Sequence, residues 1–267
     1  MLRQRVLSAV LFVPLVFAAI WFGDPWFTLA LALLALLGVI EFYRAIGAAG
    51  KQPLVIFGAL WTLAVLASPH CPFPQTLPIL LTGAIVLPLA WLTLRGEVEG
   101  ALYRWMGTVG GIFYIGWLLS YLVLLRGIGG GSDGRGWVML AIFTTFACDT
   151  TAYFVGRAWG RHRMAPVISP KKSWEGAVAG FLGAIGAAYI VAALFSLSAA
   201  VWQVGLLGAI IGVVSQIGDL SESMIKRSAG IKDASHLIPG HGGVLDRLDS
   251  ILLVGVVVYY YVWLIAR

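Results

Sequence analysis

Apolar runs of close to twenty residues recur along the whole chain, separated by short polar clusters that hold nearly all of its charge. As a helix, each run can cross the hydrocarbon core of a bilayer, about 30 Å thick. Lipid offers backbone amides no hydrogen-bond partner, so closed helices are the economical way to span it. The pattern predicts nine spans, near residues 7–22, 26–43, 54–68, 77–94, 107–125, 137–156, 176–196, 201–221 and 246–265. The first follows Arg3 and Arg5 as a signal peptide would, but Trp21 and Phe22 stand where cleavage needs small residues. It reads as a retained helix. The expected fold is an all-α, polytopic integral membrane protein of about nine transmembrane helices, a single membrane domain over 1–267.

Composition agrees. The chain is 60% hydrophobic and 11% charged, with a mean hydropathy of +0.92, whereas soluble domains carry about 25% charged residues. Too little polar surface remains to coat a water-exposed globule. The nine spans place fifteen of the eighteen Lys and Arg residues on one side and only Arg126, Arg135 and Arg267 on the other. Cytoplasmic loops are the Lys- and Arg-rich ones, so the N-terminus is expected in the cytoplasm and the C-terminus outside. The net charge of +6 is then membrane-flanking charge facing anionic headgroups, and no nucleic-acid partner is expected. Cys71 falls in an external loop and Cys148 near the inner end of the sixth span, too far apart to pair. His236 and His241 form a weak zinc signal without companion cysteines.

The glycine-rich stretch GIGGGSDGRG, residues 127–136, matches two known patterns. Gly129, Gly131 and Gly134 fit the dinucleotide fingerprint, and Gly130 to Gly134 fit the serine nucleophile elbow. Both patterns need a strand before them. Here a membrane helix precedes, so the expectation is a flexible external linker.

Three other clusters break the apolar pattern, all on the expected cytoplasmic side. They are DTTAYFVGR (149–157), SPKKSWEG (169–176) and the long stretch from Asp219 to Asp249. Residues 223–250 alone hold four basic residues, three acids and two histidines. A carboxylate near hydrocarbon is costly without a partner and is a functional candidate by default. If the eighth helix continues to residue 227, Asp219, Glu222, Ser223 and Lys226 form one polar stripe at helical spacing. Asp246 and Asp249 stand three apart at the start of the ninth. Carboxylates from separate helices at one depth suit a hard divalent cation, and the basic set Lys171, Lys172, Lys226, Arg227 and Arg247 suits phosphate. The glycines of GHGG, 240–243, suit a close backbone approach. Helix-end ion pairs are the plainer reading of any one of these charges, and suffice for Glu97, Glu99 and Arg104.

The stretch from Ser223 resembles the hallmark of the phosphatidate cytidylyltransferases, or CDP-diacylglycerol synthases. Ser223, Lys226, Arg227, Lys232, Asp233, Ile238, Pro239, His241, Gly242, Gly243, Asp246, Arg247 and Asp249 fill every fixed position at the right spacing. The segments at 149–157 and 169–176 are also similar to family segments, with Ser173 where threonine is more usual. The resemblance is strong from about 141 onward and weaker before it. It divides the chain into N-terminal helices, 1–136, and C-terminal catalytic helices, 137–267.

The resemblance implies transfer of the cytidylyl group of CTP to phosphatidate, with pyrophosphate released and Mg²⁺ required, with one ion or two. It implies a homodimer in a bacterial cytoplasmic (inner) membrane, with the site facing the cytoplasm. Under it, Asp219 and Asp246 are the leading metal ligands, with Asp249 and Asp149 beside them. Lys226, Arg227, Lys171, Lys172 and Arg247 become phosphate clamps, while Ser223 and His241 orient phosphate or water. A transporter would place polar residues at midplane and on both faces, and here they gather on one. Other CTP-using lipid enzymes, such as polyprenol or phytol kinases, should lack the full His-Gly-Gly-x-x-Asp-Arg-x-Asp segment.

Overall fold

The computed structural model describes residues 14–48, 50, 52–231, 235 and 242–265. Residues 7–13 of the first predicted span, Lys51, Lys232 and His241 lie outside them. Among the described residues ten α-helices follow one another: α1 (14–22), α2 (Trp26–Ala48), α3 (Val55–Ala67), α4 (Thr76–Leu94), α5 (Ala101–Gly111), α6 (Leu118–Gly127), α7 (Ser132–Trp159), α8 (Trp174–Leu194), α9 (Val201–Ser228) and α10 (Leu245–Leu264). A π-helical stretch, Ile112–Trp117, joins α5 to α6. Seven helical segments among the described residues are long and apolar enough to span a membrane, and Ala101–Gly130 counts as one of them. The predicted span at 54–68 forms only the 13-residue α3, roughly 20 Å at 1.5 Å per residue, short of a full crossing.

Besides helices, the described residues form a small antiparallel hairpin, β1 (Arg163–Ala165) with β2 (Ser169–Ser173). Pro166 and Pro170 explain it, since each removes a backbone donor and blocks helix continuation. A two-stranded sheet has only edges, and there Pro170 is tolerated.

The chain forms two compact units, Met1–Val123 with Ser228–Leu248, and Leu124–Arg227 with Asp249–Arg267. The described residues of 228–248 belong to the first unit, with the N-terminal helices. In the first unit the buried Tyr43 of α2 lies against Gly58 of α3 and Gly111 of α5, where an added Cβ would meet its ring or hydroxyl at 2.1–2.3 Å. Its hydroxyl donates to the Thr108 carbonyl at 2.8 Å.

In the second unit small residues set the helix spacing, as they do where lipid gives helices no hydrophobic reason to associate. Gly176, Gly180 and Gly183 of α8 lie against Ala152, Cys148 and Thr151 of α7. Gly208 and Gly212 of α9 lie against Phe181, Ala184 and Ile185 of α8. Gly218 of α9 lies against the backbone of Asp249 and Ser250 in α10, where an added Cβ would sit 2.7 Å from the Asp249 carbonyl oxygen. The Ser250 hydroxyl donates to the Ser215 carbonyl at 2.9 Å, closing the same contact.

The glycine-rich stretch is not an open linker. Ile128–Gly131 is a tight turn with Gly129 and Gly130 at positive φ, and α7 starts at Ser132 rather than 137. At Gly134 a Cβ would lie 2.2 Å from the Arg126 carbonyl oxygen. A helix, α6, precedes the turn, so neither nucleotide-loop nor nucleophile-elbow geometry is present.

Candidate active site

In the second unit three helices and the hairpin bring charge together. α9 continues to Ser228 as its spacing predicts, so Asp219, Glu222, Ser223 and Lys226 share one face. Ser223 lies with its hydroxyl 3.4 Å from Asp219 Oδ1. Lys172, from β2, places its ammonium 2.8 Å from Asp219 Oδ2. On α7, Asp149 Oδ1 accepts from the Ser215 hydroxyl at 3.3 Å. On α10, Asp249 accepts from the Ser250 backbone N–H at 2.6 Å, and the negative charges surrounding it are Asp219, Glu222 and Asp149.

Lys226 pairs with Glu222, one turn earlier, at 2.7 Å, while Lys172 pairs with Asp219. Glu222 is 1% exposed, so this pair is internal. Removing one member of such a pair leaves a buried charge uncompensated, which costs about 3–5 kcal/mol. Lys226→Ala should therefore yield less folded protein as well as lower activity. Lys171→Ala, at an exposed position, should leave the yield unchanged. Detergent extraction with a thermal midpoint separates the two.

Arg227 is exposed and reaches the Ile168 carbonyl of the hairpin turn, Nε to oxygen 3.5 Å. Arg247 is exposed in the first turn of α10.

Asp246 belongs to the first unit, where its Oδ2 accepts from the Gly243 N–H at 2.7 Å. Gly242 has a φ of +83°, and a Cβ there would sit 2.7 Å from Asp246 Oδ2. At Gly243 a Cβ would sit 2.6 Å from Glu41 Oε2. These two glycines let the backbone approach carboxylates closely, which is the freedom their sequence context suggests.

Glu41, 2% exposed on α2, is the residue that sequence reasoning missed. It accepts from the Leu245 N–H at 2.8 Å and from the Ser235 hydroxyl. It thereby satisfies a donor at the start of α10 that has no partner within the helix. Its signal was present: a lone acid inside the apolar run of α2 falls under the same rule as Asp149.

A cation fits the second-unit cluster in one respect, because a positive charge already rests against Asp219. Among the described residues no three His, Cys, Asp or Glu side chains group closely enough to enclose an ion. Hard oxygen donors with open positions suit Mg²⁺, which keeps several waters and takes further ligands from substrate phosphate.

The description of the Cytidylyltransferase family matches residues 3–265. A phosphatidate cytidylyltransferase of Synechocystis is 34% identical over 298 residues, covering 98% of this chain and 97% of that protein. One of Brucella abortus is 32% identical over 263 residues, covering 97% and 93%. One of Haemophilus influenzae is 34% identical over 281 residues, covering 94% and 95%. Similarity of this extent takes in every polar cluster described above, and the chain belongs to the cytidylyltransferase family.

Proposed function

We propose that the chain transfers the cytidylyl group of CTP to phosphatidate, giving CDP-diacylglycerol and pyrophosphate, at the cytoplasmic face of a bacterial inner membrane, as a homodimer. The observation that carries this reading is the ion pair of Lys172 with Asp219, in the same unit as Asp149 and Asp249, with all three carboxylates on helices of membrane-spanning length. One substrate is dissolved and the other is anchored in lipid, so charge belongs at the membrane boundary.

A phosphate oxygen of phosphatidate attacks the α-phosphorus of CTP, and the bond from that phosphorus to the bridging oxygen breaks as pyrophosphate leaves. The attacking oxygen is already anionic, so the work left to the protein is to overcome repulsion between anions and to stabilise charge on the leaving group. Lys171, Lys172, Lys226, Arg227 and Arg247 supply positive charge to the phosphates. Lys226 is paired with Glu222 at 2.7 Å and carries a positive charge on the same helix face as Asp219. Ser223 and His241 orient phosphate or bound water. Asp219 and Asp246 are the proposed Mg²⁺ ligands, with Asp249 and Asp149 as further candidates. When bound, Mg²⁺ would neutralise phosphate charge as a Lewis acid.

Lys172→Ala tests the clamp. Its loss should raise KM for CTP about tenfold, the scale of one charge-assisted contact, with the protein still folded. An unchanged KM would remove Lys172 from the site.

Orientation has its own test. Cysteines introduced at Arg161 and Lys51 should be shielded from an impermeant thiol reagent in intact cells, while one at Asp133 should react. Labelling at 161 from outside would overturn both the topology and the cytoplasmic site.

A further inference from the structure

Glu175 bonds the base of the hairpin that presents Lys171 and Lys172. Residues 160–162 link α7 to β1 without regular structure; the Gly160 N–H still bonds the Gly156 carbonyl, and the N–H groups of Arg161 and His162 need partners from elsewhere. Glu175, in the first turn of α8, supplies them. Its Oε2 accepts from the Arg161 N–H at 3.1 Å, and its two oxygens share the His162 N–H at 3.2 and 3.3 Å. Its Oε1 lies 2.6 Å from His162 Nδ1. The return contact runs from the Trp174 N–H to the His162 carbonyl at 3.0 Å.

These bonds tie the entrance of β1 to the exit of β2. The register then follows, with Arg163 opposite Ser173 and the Arg163 guanidinium 3.4 Å from the Lys171 carbonyl. Ser173 caps α8 through the Gly176 N–H. Lys172, the residue before that cap, is aimed at Asp219.

We propose that Glu175 is a positioning residue for CTP binding, acting by fixing the hairpin so that Lys172 meets the nucleotide phosphates. This rests on the assignment of Lys172 as a phosphate clamp. A carboxylate repels phosphate, so Glu175 serves through the backbone it holds rather than by touching the nucleotide. An acid that merely complemented the helix dipole would need none of its bonds to residues 161 and 162.

A double-mutant cycle on the purified full chain, read as separate kcat and KM values for CTP, tests this. Glu175→Ala should raise KM for CTP about tenfold with kcat changed by about twofold or less, and Glu175→Gln, which keeps one acceptor oxygen, should recover part of that loss. In a Lys172→Ala background the Glu175→Ala change should add roughly twofold or less, because the lysine it positions is gone. Full multiplication of the two effects would overturn the proposal. A normal KM in Glu175→Ala, with a raised KM in Lys172→Ala, would overturn the positioning role and leave the clamp standing. A normal KM in Lys172→Ala would overturn the clamp and the positioning role together. Should Glu175→Ala fail to fold, Glu175→Gln in both backgrounds carries the same cycle.

Discussion

Asp219→Asn should lower cytidylyl transfer on the order of a hundred- to a thousandfold, the scale seen when a group that stabilises transition-state charge is removed. The protein should still extract as a folded species. Asn keeps the shape and an acceptor oxygen for Ser223, but it loses the charge that both Lys172 and a hard cation require. Asp246→Asn should behave alike, since an amide oxygen can still accept from the Gly243 N–H. Were these carboxylates only ion-pair or cap members, the variants would lose stability, and whatever folded would keep its turnover and Mg²⁺ dependence. A folded Asp246→Asn protein with ordinary Mg²⁺-dependent turnover would end its assignment as a ligand. Activity across a Mg²⁺ titration, with a thermal midpoint for each variant, decides between these readings.

Gly218→Ala should be nearly as damaging, although it removes no chemistry. The added Cβ would sit 2.7 Å from the Asp249 carbonyl oxygen and 2.9 Å from the Ser250 Cα. Both are backbone atoms, so α9 and α10 must move apart. Gly218 adjoins Asp219, and the contact it makes is with Asp249 itself, so the shift falls on the two carboxylates. A displacement near 1 Å at a reacting centre can cost about a hundredfold in rate, and overpacking costs about 1–3 kcal/mol in stability. Gly186→Ala on α8 is the control, because a Cβ there meets nothing within 4 Å. Wild-type activity in Gly218→Ala would show that the α9–α10 spacing does not set the site.

What could be read in advance depended on how local each feature is. The stripe from Asp219 to Lys226 is periodic within one helix, so spacing alone placed Ser223 on the same face as Asp219. Membrane spans are equally local, since length and hydropathy define them. Contacts between distant segments were out of reach. Lys172 meets Asp219 because a hairpin folds back, and that hairpin was hidden by the all-helical expectation although Pro166 and Pro170 mark it. Glu41 bonds to Leu245 across two hundred residues of chain, and no periodicity connects them. The turn at 127–131 looked open because glycine suggests freedom. In fact Gly134 is there to let α7 pass close to the Arg126 carbonyl.

Transfer of the cytidylyl group to the lipid substrate can be followed directly. Purified protein would be incubated with CTP labelled at the α-phosphorus, phosphatidate and Mg²⁺, and the lipid phase then counted for label. The prediction is a labelled lipid with one pyrophosphate released for each lipid formed, and both products formed on the order of a hundred- to a thousandfold more slowly by Asp219→Asn. Pyrophosphate or phosphate release with no label in the lipid, or labelled lipid formed equally by Asp219→Asn, would contradict it.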